Sequence, residues 1–217
     1  MAFRLNSKHI IVLKTVIHLA ALMPLIYTFY LASIDQLGAD PVKALLYFSG
    51  ISAFNLLLLS LLVSPLAKKL RQGLLINVRR LLGLYAFTYA LSHFLVYILF
   101  ELQLNWGLLL SEIIKRPYIT VGFAALLILT ALTLTSTRAA QRKLKNKWQK
   151  LHNWVYLAVL LVALHFIWSV KSDITEPLIY WAMALILLAQ RKTKLQQWWQ
   201  KRAKNKQNKQ TSDPFSN

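Results

Sequence analysis

The 217 residues include no cysteine. That absence excludes disulfides, thiolate metal sites, iron–sulfur clusters and covalent Cys-x-x-Cys-His attachment of a prosthetic group. Any metal must rest on His, carboxylate or Met. Acid is nearly as scarce, with seven Asp and Glu against 26 Lys and Arg and a formal net charge of +19. Long polar stretches are missing as well, so no segment is long enough for a soluble domain, and no internal repeat is expected.

What the chain has in abundance is apolar runs: 57% of it is hydrophobic. Ile10–Ala32, Ala44–Leu66, Leu81–Phe100, Tyr118–Thr135, Leu151–Val170 and a shorter Leu178–Ala189 are each nearly free of charge. About 20 apolar residues span a hydrocarbon core of roughly 30 Å, a length five of the six meet or approach. The sixth reaches only about 18 Å. Ile174 and Thr175 can extend it at one end, while Arg191, Lys192 and Lys194 snorkel at the other. The expected fold is all-α: a polytopic membrane bundle of six transmembrane helices, residues 1–192, followed by a basic interfacial segment and polar tail, 193–217.

A charge of +19 suggests nucleic acid until its distribution is considered. The N-terminus (Arg4, Lys8), the second connection (Lys68 to Arg80), the fourth (Arg138 to Lys150) and the tail hold 21 of the 26 basic residues, with Asp213 the only acid among them. The other connections carry Lys43, Lys115, Arg116 and Lys171 against Asp35, Asp40, Glu101, Glu112, Asp173 and Glu176. Strict alternation of basic loops over six spans puts both termini in the cytoplasm. Topology and anionic lipid account for the charge, and nucleic-acid binding is not expected. The first span has a signal-peptide-like basic start. It is too long for one and is interrupted by Lys14 and His18, so it is expected to be retained.

Along the chain, Lys14 and His18 stand at i and i+4 on one helix face, and Pro24 is expected to kink their helix. Asp40 before Pro41 reads as an N-cap with proline at the first helical position. Gly50, Ser52 and Ser60 are small residues for close helix contact, and Ser64-Pro65 is expected to close the second span. The moderately apolar Glu101–Pro117 connection, with Trp106, suits the outer interface. Span four has no ionisable group and reads as scaffold. Trp198 and Trp199 among lysines read as an interfacial anchor.

The histidines carry the chemistry, because ionisable groups within hydrocarbon are costly and functional by default. His93 follows Arg80 by thirteen residues and His165 follows Lys150 by fifteen, which places them about 20 and 22 Å deep on two spans that both run outward. At matching depth, two neutral imidazoles can clamp one planar macrocycle from opposite faces, as in bis-histidine b-type haem. The alternative is that each imidazole hydrogen-bonds a neighbouring helix. His152 lies at the inner interface, thirteen residues and roughly 20 Å from His165, so the two cannot ligate one metal. His18, about 15 Å in, matches neither depth. It could complete an inner site with His152, or line a quinone, flavin or propionate pocket with Lys14. His9 is juxtamembrane and has no expected role.

Several segments carry a family resemblance: His18-Leu-Ala-Ala-Leu-Met-Pro24, Leu37-Gly-Ala-Asp-Pro-Val-Lys43, Arg79-Arg-Leu-Leu-Gly-Leu-Tyr85 with His93, Arg116-Pro-Tyr118, Thr135-Ser-Thr137, Lys147-Trp-Gln-Lys-Leu-His-Asn-Trp-Val-Tyr156 and His165-Phe-Ile-Trp-Ser-Val-Lys171. They resemble the MsrQ (YedZ) family, haem-binding membrane subunits of bacterial MsrPQ methionine sulfoxide reductase systems. That family belongs to a wider ferric-reductase-like transmembrane group that includes NADPH oxidases. The likeness covers about residues 5–192, with Leu151–Lys171 its most specific part. It implies an inner-membrane cytochrome that is an electron-transfer subunit rather than the catalytic one, with haem b and FMN as cofactors. Electrons would pass from the quinone pool or a cytosolic flavin reductase to a periplasmic molybdopterin enzyme, MsrP, which repairs oxidised periplasmic proteins. The family's haem histidines fall on His93, His152 and His165. The wider group's eukaryotic oxidases have two histidines on each of two helices, whereas span three has only His93, so the haem count, one or two, stays open. The soluble FAD/NADPH domain of those oxidases has no counterpart in the chain, so direct hydride uptake is not expected. A different class also stays open: a small transporter or assembly factor whose histidines relay protons or metal ions.

Overall fold

A computed structural model describes residues 5–190. The expected interfacial anchor at Trp198–Trp199, the segment 193–217 and the snorkelling residues Arg191, Lys192 and Lys194 lie outside the described residues. The described chain is all helix and turn: α1 (Ser7–Ser33), α2 (Pro41–Lys69), a 3₁₀ turn (Gly73–Leu75), α3 (Ile76–Val96), a π-helical turn (Tyr97–Glu101), α4 (Trp106–Lys115), α5 (Pro117–Leu134), α6 (Arg138–Leu144), α7 (Asn146–His152), α8 (Val155–Ser169) and α9 (Thr175–Gln190). Among these, five stretches are long and apolar enough to cross a membrane, and α9 is a shorter apolar helix.

Several boundaries follow from named side chains. Asn6 caps α1, accepting from the His9 N–H while His9 Nδ1 accepts from the Asn6 N–H, so His9 is a capping residue. Asp40 caps α2 through the Lys43 N–H at 2.9 Å, with Pro41 at the first position. Pro65 does not close α2, which continues to Lys69. One missing N–H within a membrane helix is tolerable because neighbouring helices and side chains re-satisfy the freed group. Arg79 and Arg80 lie inside α3 rather than in a connection.

The fifth span is interrupted by a turn. α7 ends at His152, Asn153 and Trp154 form a tight turn in which the Tyr156 N–H donates to the Asn153 carbonyl at 3.1 Å, and α8 starts at Val155. The connection before α5 is also structured. α4 is amphipathic: Leu109 is buried, whereas Trp106, Leu110 and Ile114, spaced four apart, are open to the surroundings.

The two most extensive helix pairings are α2 with α3 and α5 with α8. Phe54, Leu57, Leu58 and Leu61 of α2 meet Leu129 and Leu132 of α5 in the main core. There, fully covered alanines (Ala86, Ala158, Ala163, Ala184) bring helices close. α1 packs on the outside of α3, burying only Ile10 and Ala21, and its Ala21 carbonyl accepts from Tyr89 Oη at 2.8 Å.

Candidate functional site: two imidazoles held between helical hairpins

His93 on α3 and His165 on α8 face each other, with ring centres 6.1 Å apart and planes at 86°. Each is tied to the partner helix of its own hairpin. His93 Nδ1 lies 2.9 Å from the Leu46 carbonyl on α2, with Ser49 Oγ at 3.4 Å, and His165 Nδ1 lies 2.7 Å from the Tyr118 carbonyl on α5. A carbonyl can only accept, so in the neutral ring Nδ1 carries the hydrogen and Nε2 keeps its lone pair. Both rings therefore present a metal-ligating nitrogen of the same kind, and both remain only partly covered.

This donor set fits the expected macrocycle. Two metal–imidazole bonds of about 2 Å each, with ~1 Å more from each nitrogen to its ring centre, give roughly 6 Å between rings on one axis. Among the described residues no group of three or more His, Asp or Glu side chains gathers as a metal cage would require. Space for the rings comes from glycine. A Cβ on Gly50 would lie 3.1 Å from His93 Nδ1 and Cε1, and one on Gly122 would lie 2.6 Å from His165 Nδ1.

His152 is placed differently. Its Nε2 is 3.2 Å from Thr135 Oγ1, and its ring stacks on Trp148 at 4.0 Å, whose Nε1 donates to the Thr135 carbonyl at 2.9 Å. The Arg79 guanidinium of α3 is within electrostatic reach. α8 separates His152 from His165 by several turns, so of the three histidines expected to bind haem only His93 and His165 come together. His18 on α1 joins neither pair. Its Nδ1 is 2.6 Å from Tyr85 Oη of α3, and the rest of the ring is exposed, with Lys14 half-buried one turn away.

Span four is not plain scaffold, since α5 supplies the Tyr118 carbonyl, Gly122 and, just past its end, Thr135. Of the two glycines only Gly50 stands out in the sequence, as a small packing residue. Beyond the histidines, the π-helical turn directs Tyr97 Oη towards Glu112 Oε2 at 3.5 Å. Glu112 pairs with Arg116 Nε at 2.5 Å, and Arg116 Nη1 donates to Tyr118 Oη at 3.1 Å.

An apolar cleft of about 260 Å³ is lined by Leu127, Ile128, Ala131, Leu151 and Trp154. Those side chains give the phosphate of FMN no charged partner, so FMN does not fit there.

The ferric reductase like transmembrane component family matches residues 49–163, from the start of the Gly50 contact almost to His165. The chain is 50% identical over 197 residues to the protein-methionine-sulfoxide reductase heme-binding subunit MsrQ of Cronobacter sakazakii, a match covering 90% of this chain and 98% of that protein. It is 51% identical over 197 residues to the proteins of the same name from Salmonella paratyphi B and Salmonella heidelberg, covering 90% of this chain and 99% of each of theirs. No solved structure is matched.

Proposed function

The chain belongs to the MsrQ family of heme-binding subunits, with a ferric-reductase-like transmembrane core, and from this premise we propose that it is the electron-transfer subunit of a methionine sulfoxide reductase system, holding haem b between His93 and His165. The observation that carries the reading is the facing pair of imidazoles, each with Nδ1 committed to a carbonyl. Bound there, haem iron would supply a one-electron couple within a chain whose side chains, lacking cysteine, offer no redox centre of their own. The protein's part is to hold both lone pairs towards one axis through the Leu46 and Tyr118 carbonyls.

The finer reading is that the electrons leave to a periplasmic molybdopterin reductase of the MsrP kind and that the membrane is the bacterial inner membrane. For the donor, the His18–Tyr85 pair favours the quinone pool. A histidine left open towards hydrocarbon is costly. A hydroquinone arriving through the lipid would satisfy it by hydrogen bonding and could hand it a phenolic proton. A cytosolic flavin reductase is the second reading, supported by the six basic residues from Arg138 to Lys150, which suit an acidic docking partner.

The test is the purified full-length protein from haem-replete cells. A reducible b-type absorption spectrum is expected. A colourless, well-folded protein would favour the rival class, in which the histidines relay protons or metal ions.

A further inference from the structure

We infer that Gly50 and Gly122 are equivalent positioning residues of the two hairpins, each a notch that fixes the bearing and tautomer of its histidine. This rests on the reading that His93 and His165 hold the haem. The equivalence is visible in the hydrogen bonds. The accepting carbonyl lies 47 residues before its histidine in both hairpins, and the glycine lies four residues after that carbonyl. Adding 72 to Leu46, Gly50 and His93 gives Tyr118, Gly122 and His165. The same offset takes Ala53 to Ala125, Leu57 to Leu129 and Ala86 to Ala158, and all six side chains are buried. The shared register makes Gly50 and Gly122 equivalent positions of the two hairpins. The identities are too sparse to stand out without the contacts.

The glycine is needed because of helix geometry. Every Cα–Cβ bond tilts towards the helix N-terminus, so a Cβ four residues after a carbonyl leans over the approach to that carbonyl. A histidine from a neighbouring helix reaches the oxygen unhindered where that Cβ is missing. At Gly122 the added carbon would sit 2.6 Å from His165 Nδ1 and 2.9 Å from Cε1, well inside the roughly 3.5–4.0 Å at which such atoms normally rest. The ring would have to leave the Tyr118 carbonyl. Without that acceptor Nδ1 no longer has to carry the hydrogen, and Nε2 is no longer held on the shared axis. At Gly50 the closest approach is 3.1 Å, and Ser49 Oγ at 3.4 Å offers the displaced Nδ1–H a second acceptor. The two notches should therefore tolerate alanine unequally.

The experiment compares haem per protein, the low-spin ferric signal and the midpoint potential in wild type, Gly122→Ala, Gly50→Ala and Gly83→Ala, each full-length and checked for helicity and monodisperse elution. Gly83 also sits within α3, but a Cβ there meets nothing within 4 Å. Alanine is the better helix former at all three positions, so helix propensity cannot account for a loss. Gly122→Ala should lose most of its haem, by about tenfold if the ring is displaced. Gly50→Ala should keep haem with a displaced signal and potential, and Gly83→Ala should match wild type. Wild-type haem content, signal and potential in Gly122→Ala would overturn the inference. Should Gly122→Ala fail to fold, an unchanged signal and potential in Gly50→Ala would overturn it instead. Failure of the functional reading looks different: the wild type itself would hold no haem, or its signal would survive His93→Ala and His165→Ala.

Discussion

Thr135 has one hydroxyl hydrogen, and its 2.6 Å contact with the Ala131 carbonyl uses it. The hydroxyl can then only accept from His152, so His152 Nε2 carries the hydrogen, the opposite tautomer to His93 and His165. This is why a histidine that looks equivalent in sequence is not equivalent in chemistry. Depth counting from Arg80 and Lys150 finds His93 and His165, since a helix converts residue number into height. It cannot find tautomers, which depend on the atom opposite the ring. Nor can it assign Gly122, because a glycine in a span without ionisable groups reads as packing. His18 belongs to this scale too. If its Tyr85-bound imidazole receives the hydroquinone, His18→Ala and Tyr85→Phe should slow reduction by a hydroquinone about tenfold or more. Reduction by dithionite, a small diffusible reductant, should be unchanged. Equal slowing by both reductants would show that the pair acts on the haem site rather than on a donor.

The hairpin is the unit that sets the number of sites. Under the 72-residue offset His152 corresponds to Arg80, so the inner position of the first hairpin holds a guanidinium where the second holds an imidazole. A guanidinium is always protonated and offers no lone pair, so the lone pair that His152 keeps on Nδ1 has no second ligand at the equivalent inner position. One haem per chain is therefore expected, and a quantified pigment-to-protein ratio of two would contradict it. The long apolar helices were legible from run length alone. Their interruptions were less so. The turn at Asn153–Trp154 carries no proline or glycine to announce it, and Pro65 announces a break that does not occur. α4 was legible only as apolar sequence with Trp106 at an interface. Its amphipathic face emerges once Leu109 packs on Ile98 in the π-helical turn and on Leu102 just after it.

Across the whole molecule the charge divides by side, with basic connections at one end of the bundle and the acidic Glu112, Asp173 and Glu176 at the other. At the acidic end Tyr47 Oη donates to Glu176 at 2.8 Å, joining α2 to α9. Asp173 accepts from the Thr175 N–H at 2.9 Å, which holds its carboxyl below the usual range. These contacts anchor the start of α9, an apolar helix shorter than a full span. If α9 crosses, a reporter active only in the periplasm and fused after Asn217 stays silent. If it does not, the reporter is active and the six-span topology fails. The central claim, that two histidines from two hairpins hold one haem, is tested most directly by the low-spin ferric signal of three single variants in matched preparations. His93→Ala and His165→Ala should each abolish that signal while His152→Ala keeps it, and retention in both of the first two would contradict the account.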